Sequence, residues 1–103
     1  SAIDRSISIA GETPELLGIK VFAQYYRDGR QFAPETQAAV GRVFDMNPLE
    51  VRTRMLLGQD AFLNGRYAEA VGHWRMLLDG GAAPDKERAL KTAIAKAEAR
   101  MTR

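Results

Sequence analysis

The sequence contains no cysteine and a single histidine, His73, among its 103 residues. The absence of cysteine excludes disulfide bonds, thiolate nucleophiles and cysteine-ligated metal sites. A structural zinc site needs about four protein ligands. One histidine without cysteine does not provide such a ligand set, and we expect no metal and no cofactor. Because His73 precedes Trp74 on a predicted helix, we expect it to project outward as a surface histidine.

Long apolar runs are also missing. No stretch approaches the roughly 18 apolar residues that a membrane-spanning helix needs, and no signal peptide is visible. The chain opens on Ser1-Ala2 rather than on methionine. We therefore expect that any membrane anchor or targeting signal of the parent protein lies outside this sequence.

The net charge is small and unevenly placed. The net charge is +2, but residues 85–103 hold six basic against three acidic side chains, and the rest sums to −1. This is too little for a nucleic-acid footprint, so we interpret the basic segment as a solvated helix face and expect no nucleic-acid partner. Glu50, Asp60 and Glu69 stand at solvent-facing helical spacings without a nucleophile nearby, whereas acid–base catalysis needs converging groups. The sequence therefore predicts a protein that is not an enzyme.

What is present is the composition of one soluble globular domain, with 46% hydrophobic and 27% charged residues. Residues 1–13 carry isolated isoleucines among small polar residues, and we expect an extended or poorly ordered segment there. Residues 14–103 carry apolar side chains at helical spacings separated by turn signals. The sequence predicts an all-α domain over that range.

Five helices are expected, without a credible strand. They are predicted to begin or end at Thr13-Pro14, Asp28-Gly29, Pro34-Glu35, Asn47-Pro48, Asn64-Gly65, Tyr67, Leu78, Gly80-Gly81 and Pro84-Asp85. Thr13 is expected to cap the first helix. Asn47 is expected to cap the third, with Glu50 reaching back as in a capping box. The apolar stripe of the first helix is Leu17, Val21, Phe22 and Tyr25.

A repeat signature indicates how these helices are arranged. The ordered set Leu57-Gly58, Gly65, Tyr67, Ala70, Trp74, Leu77-Leu78 resembles a tetratricopeptide (TPR) helix pair. In that pattern Gly58 permits close helix approach, Gly65 permits a positive φ, and Trp74 fills the core. Arg54 stands where the pattern usually has an aromatic residue. An upstream pair looks like a degenerate second repeat with a longer turn at residues 28–33. The predicted fold is therefore an antiparallel helix–turn–helix array of TPR type, with about two repeats. The fifth helix caps the array through Leu90, Ala93, Ile94 and Ala97.

A narrower resemblance extends over residues 29–102. It consists of G-x-x-x-x-P-E from Gly29 to Glu35, an Asn-Pro boundary, LLG-x-x-A-F, G-x-Y-x-x-A, a tryptophan four residues later and a basic final helix. These features are similar to the TPR domain of bacterial cytochrome c biogenesis subunits of the CcmI/CycH and NrfG type. The resemblance implies a domain at the periplasmic face of the inner membrane, tethered by membrane helices absent from this chain. It also implies that the domain binds the C-terminal helix of apocytochrome c and holds that protein for haem attachment, or that it contacts haem lyase subunits.

In TPR arrays the first helix of each pair lines a concave groove. Spacing from Gly58 predicts that the groove carries Arg52, Met55, Gln59, Phe62 and Leu63, together with Tyr26 and Arg27 from the first helix. This mixed surface suits an amphipathic helix, with Phe62 as the apolar anchor and Arg52 as a rim charge. Two alternatives stay open. Phe62 and Tyr26 could pack on each other or on residues 1–13, and the domain could be a general TPR scaffold that joins another complex or forms a homo-oligomer.

Overall fold

The computed structural model describes residues 11–102, and the chain divides between Thr53 and Arg54 into two compact units. The described residues form five α-helices and no strand, which confirms the all-α prediction. The helices are α1 (Pro14–Arg27), α2 (Pro34–Met46), α3 (Val51–Leu63), α4 (Tyr67–Asp79) and α5 (Pro84–Met101). Residues 11–13 have no regular secondary structure, and residues 1–10 of the segment expected to be extended lie outside the described range.

The N-terminal unit is built on the packing of α1 against α2. The hydroxyl of Thr13 accepts a hydrogen bond from the amide of Leu16 at 3.2 Å, so the predicted cap is confirmed. The apolar part of the core of this unit consists of Leu17, Val21, Tyr25, Ala39 and Val43. Phe22, expected in the same stripe, is instead 38% exposed, because it lies one residue beyond the buried face that Val21 and Tyr25 share.

The turn between α1 and α2 is long, as expected. It covers residues 28–33, compared with residues 64–66 between α3 and α4. Gly29 and Arg30 both have positive φ, at 70° and 63°, and the Arg30 amide donates to the carbonyl of Tyr25 at 2.8 Å. Two successive left-handed residues reverse the chain here, and the second of them is not a glycine.

The start of α3 differs from the prediction. The helix begins at Val51, and its first turn is capped by the Glu50 carboxylate, which accepts from the amides of Arg52 and Thr53 at 3.1 and 3.2 Å. Asn47 instead accepts from the amide of Leu49 at 3.0 Å and closes the preceding turn. The reason is tertiary: a Cβ on Gly18 would overlap Glu50, so this bare patch of α1 is where the carboxylate fits.

The C-terminal unit packs α4 against α5, and α3 against α4 through Gly58 and Trp74. A Cβ on Gly58 would overlap the indole nitrogen of Trp74 and lie 2.7 Å from its Cδ1, so the predicted close approach is confirmed. Gly65 has the expected positive φ of 76°. The core of this unit consists of Ala61, Ala70, Trp74, Leu77, Leu90, Ile94 and Ala97. The predicted stripe of α5 is thus buried on this core, with Ala93 partly buried beside it.

Candidate protein-binding surfaces

Residues of the predicted groove come from both units. In the N-terminal unit, Tyr26 is 45% exposed and packs on Phe22, with ring centroids 4.9 Å apart. The guanidinium carbon of Arg52 lies 5.8 Å from the centroid of Phe22. Arg52 and Tyr26 are therefore joined through Phe22, and these three residues form what we call the N-terminal aromatic surface.

Arg27 was predicted as a groove residue, but its guanidinium is engaged within the chain. It donates to Asp28 at 3.0 Å and to Glu35 at 3.4 Å. The hydrogen bonds to Asp28 and Glu35 raise the pKa of Arg27 above its usual value, and the Arg27 hydrogen bond lowers the pKa of Asp28. This arginine is exposed, but its charge already has two acidic partners.

In the C-terminal unit the predicted anchor Phe62 is partly buried. Its ring packs edge-on against Tyr67 at 5.3 Å and lies 6.1 Å from Trp74. Two cations approach the same ring: Lys96 Nζ lies 5.7 Å and Arg100 Cζ 5.5 Å from its centroid. Arg100 also donates to the hydroxyl of Tyr67 at 3.4 Å. We call Phe62, Tyr67, Lys96 and Arg100 the basic aromatic surface.

The other three predicted groove residues of this unit differ in exposure. Met55 is partly buried and packs against the core, like Phe62. Gln59 is exposed. Leu63, at 54% exposure, is the most exposed large apolar side chain among those of the described residues. Leu63 is therefore the apolar groove residue of this unit with the largest exposed fraction.

Four residues of these surfaces were not predicted from the sequence. Phe22 was assigned to the core, Tyr67 to the repeat signature, and Lys96 and Arg100 to a solvated helix face. A signal was available, because Phe22–Tyr26 and Lys96–Arg100 are both i, i+4 pairs, which share one face of a helix. Nothing in the spacing, however, indicated that the two bases of α5 lie over a ring of α3.

His73 is not a free surface histidine. It is partly buried, and Arg54 Nη1 donates a hydrogen bond to its Nδ1 at 3.0 Å. Burial and the charge of Arg54 lower the pKa of His73 below 6.5, although Glu69 acts in the opposite direction. The imidazole is therefore neutral at pH 7 with Nδ1 as the acceptor. Arg54, the residue where the repeat usually has an aromatic side chain, supplies this partner.

Two of the three carboxylates expected to face solvent are buried. Glu50 caps α3, as described above, and it also accepts from the Thr53 hydroxyl at 2.7 Å. Asp60 accepts from Arg66 at 2.8 Å and from the Asn64 side chain at 3.3 Å. Glu69 is exposed and accepts from Arg66 at 2.8 Å. Each of these carboxylates is occupied in holding a helix end or turn.

Residues 11–102 contain no group of three or more side chains suited to binding a metal ion. In the same range, none of the helices combines the length and the apolar character needed to span a membrane.

With this geometry in place, comparison with known proteins shows what the chain resembles. No family model matches it. It is 34% identical over 102 residues to the cytochrome c-type biogenesis protein CycH of Pseudomonas aeruginosa, an alignment that covers 98% of this chain and 25% of CycH. It is 27% identical over 78 residues to NrfG, a subunit of the formate-dependent nitrite reductase complex of Escherichia coli O157:H7, which covers 76% of this chain and 39% of NrfG. The chain is a homologue of CycH and NrfG.

The resemblance predicted from the sequence is thereby confirmed, for a chain that spans a quarter of CycH and about two fifths of NrfG. The fold is supported independently. A crystal structure of a protein named YfrE from Vibrio parahaemolyticus superposes with a TM-score of 0.78 at 23% identity, covering 84% of this chain and 94% of that one. At this identity the likeness concerns the fold alone, and it confirms the helical array of TPR type.

Proposed function

We propose that this chain is the protein-binding TPR module of a cytochrome c maturation apparatus, and that it holds apocytochrome c for haem attachment. The observation that carries the proposal is the similarity to CycH, which extends over 98% of the chain. By name, CycH is a biogenesis protein and NrfG a subunit of an enzyme complex. In this proposal the module is not itself an enzyme, and it works at the periplasmic face of the bacterial inner membrane, anchored by segments outside this chain. Its partners are the C-terminal helix of apocytochrome c or haem lyase subunits.

The exposed side chains at predicted groove positions support this binding mode. Helix-in-groove recognition uses a few apolar anchors surrounded by polar contacts. In the C-terminal unit Leu63 offers exposed apolar surface, and Gln59, four residues before it, is an exposed polar side chain. In the N-terminal unit Tyr26 and Arg52 are both exposed. In this proposal the ligand helix places an apolar side chain on Leu63, with Gln59 as a polar contact.

The test is a calorimetric titration with a peptide that contains the C-terminal helix of a c-type cytochrome from the same bacterium. A scrambled peptide of the same composition is the control. We expect micromolar affinity for the helix peptide and no saturable binding of the scrambled one. Leu63→Ala should weaken binding about tenfold, since burying a leucine side chain contributes roughly 1.5 kcal/mol or more.

Met76→Ala is the matched control, because Met76 is also an exposed apolar residue of the C-terminal unit but lies on α4, outside the predicted groove. It should leave the affinity unchanged. Leu63→Ala is preferable to Phe62→Ala because Phe62 also packs on Tyr67 and Trp74. If the chain does not bind cytochrome peptides and sediments as a stable homodimer, it is a self-associating scaffold and the proposal is wrong.

A further inference from the structure

Three basic side chains of the C-terminal unit have acidic partners. Arg66 binds Asp60 and Glu69, Arg75 binds Glu98 at 2.8 Å, and Lys91 binds Glu87 at 2.8 Å. Lys96 and Arg100 differ from these. Within residues 11–102 neither forms an ion pair, and both lie over the ring of Phe62.

This arrangement leaves positive charge concentrated at one place. Lys96 and Arg100 are four residues apart on α5, so the two like charges share one face of the helix and repel each other. A ring face attracts a cation by only about 0.5–1 kcal/mol at an exposed site. The wider field has the same sign, because residues 54–103 hold nine basic against six acidic side chains. A carboxylate placed beside Phe62 would therefore be attracted by both cations and relieve their repulsion.

Apolar area is also available at Phe62 and at the next residue of α3. The Phe62 ring is partly buried, and its sequence neighbour Leu63 is exposed. A ligand that carries only charge would leave this area uncovered. A helix can cover both, because a carboxylate and an apolar side chain three or four residues apart lie on the same face.

We propose that the basic aromatic surface receives a side-chain carboxylate from an acidic amphipathic helix of the bound polypeptide, with a neighbouring apolar residue of that helix on the exposed part of Phe62. This inference rests on the proposed function, since it specifies the chemistry of the segment that the module holds. The carboxylate pairs with Lys96 and Arg100, and the Tyr67 hydroxyl keeps Arg100 in place.

The test uses designed helical peptides of about 15 residues, or four turns, with a leucine face flanked by glutamates. Both peptide ends are blocked by acetylation and amidation. A matched peptide has every glutamate replaced by glutamine, and a third is the glutamine peptide with a free terminal carboxylate. We expect the wild-type chain to bind the glutamate peptide about tenfold more tightly than either of the others at low salt, and to lose this preference near 1 M salt, where charges are strongly screened.

Lys96→Gln and Arg100→Gln should each weaken binding of the glutamate peptide about fivefold, the effect of one rim ion pair. Neither should change the affinity for the glutamine peptide. Lys86→Gln is the control, since it removes the same charge from an exposed site on α5, about 15 Å away along the helix. Thermal unfolding of all three variants should match that of the wild type.

The inference is overturned if the glutamate and glutamine peptides bind equally well, or if Lys96→Gln and Arg100→Gln do no more than Lys86→Gln. It is also overturned if the free terminal carboxylate of the third peptide restores full affinity. In each of these cases a cytochrome peptide can still bind, and the proposed function stands. If neither the glutamate peptide nor the cytochrome helix peptide binds, the inference and the proposed function both fail.

Discussion

The contact between Gly58 and Trp74 can be tested by adding a single methyl group. In Gly58→Ala the new Cβ would overlap the indole nitrogen and lie 2.7 and 2.8 Å from Cδ1 and Cε2. Carbon atoms pack best at about 3.5–4.0 Å. Trp74 is only 6% exposed and is enclosed by the core, so it has little room to retreat. Overpacking of this kind costs about 1–3 kcal/mol, and we place Gly58→Ala near the upper end.

The intrinsic helix preference acts in the opposite direction. Alanine is favoured over glycine within a helix by about 1 kcal/mol, so the net loss of stability in Gly58→Ala should be about 2 kcal/mol. For a domain of this size that lowers the melting temperature by roughly 10 °C. Gly72→Ala is the control, because its Cβ would meet nothing within 4 Å. It should stabilise the protein by about 0.5–1 kcal/mol.

The decisive experiment is a double-mutant cycle with Trp74→Leu. Replacing the indole by a smaller side chain removes the clash, so adding Gly58→Ala in that background should be neutral or stabilising by about 1 kcal/mol. The coupling between the two sites is then about 2–3 kcal/mol. Urea unfolding should be followed by far-UV circular dichroism, because Trp74 is the only tryptophan and its fluorescence is lost in the cycle. Additivity to within about 0.5 kcal/mol would refute the close approach of α4 to α3 and the repeat register with it.

Two further predictions concern His73 and α5. Since the pKa of His73 is lowered in the folded state, its contribution to the free energy of unfolding is complete above pH 6.5 and declines as the pH falls through the folded pKa. Urea unfolding at about pH 7.5 and 5.5 should show a loss of stability at the lower pH that His73→Gln abolishes. An equal loss of stability in that variant would contradict the assignment. Truncation after Gly81 removes the buried Leu90 and Ile94, a loss of about 3–6 kcal/mol that approaches the total stability of a small domain. The truncated chain should aggregate or unfold without cooperativity in light scattering and circular dichroism, and a stable monomer would show that α5 is a free arm.

Helix ends were predicted best where local chemistry determines them. Pro14, Pro34 and Pro84 each stand at the first residue of a helix, because proline lacks the amide hydrogen that this position leaves unpaired. Pro48 satisfies the same rule in sequence, yet α3 begins three residues later. The difference lies in Gly18, which is 32 residues from Glu50 in the chain and leaves space for its carboxylate. No local signal carries a contact of that kind.

Buried polar residues were the least predictable part of the structure. The Thr36 hydroxyl donates to Gln24 Oε1 at 3.0 Å, and both residues are buried between α1 and α2. Helical periodicity identifies apolar faces, and a polar residue on such a face is assigned to solvent by default. Asp60 and Glu50 were misplaced for the same reason. In each case the partner that makes burial tolerable, such as Arg66 for Asp60, is known only from the folded structure.

The candidate site was predictable as a set of positions but not as a set of contacts. On α5, the apolar spacing predicts the face that is buried, which includes Ile94 and Ala97, and so it predicts that Lys96 and Arg100 lie together off the core face. The spacing does not predict that the ring of Phe62 lies beneath them, because that depends on the packing of three helices. One consequence is that α5 combines a structural face with a charged one. Truncation therefore tests the cap and the binding surface at once, whereas Lys96→Gln and Arg100→Gln alter the charge and leave Leu90, Ile94 and Ala97 on the core. Peptide affinities measured with Lys96→Gln and Arg100→Gln therefore report on ligand binding without a change in the stability of the fold.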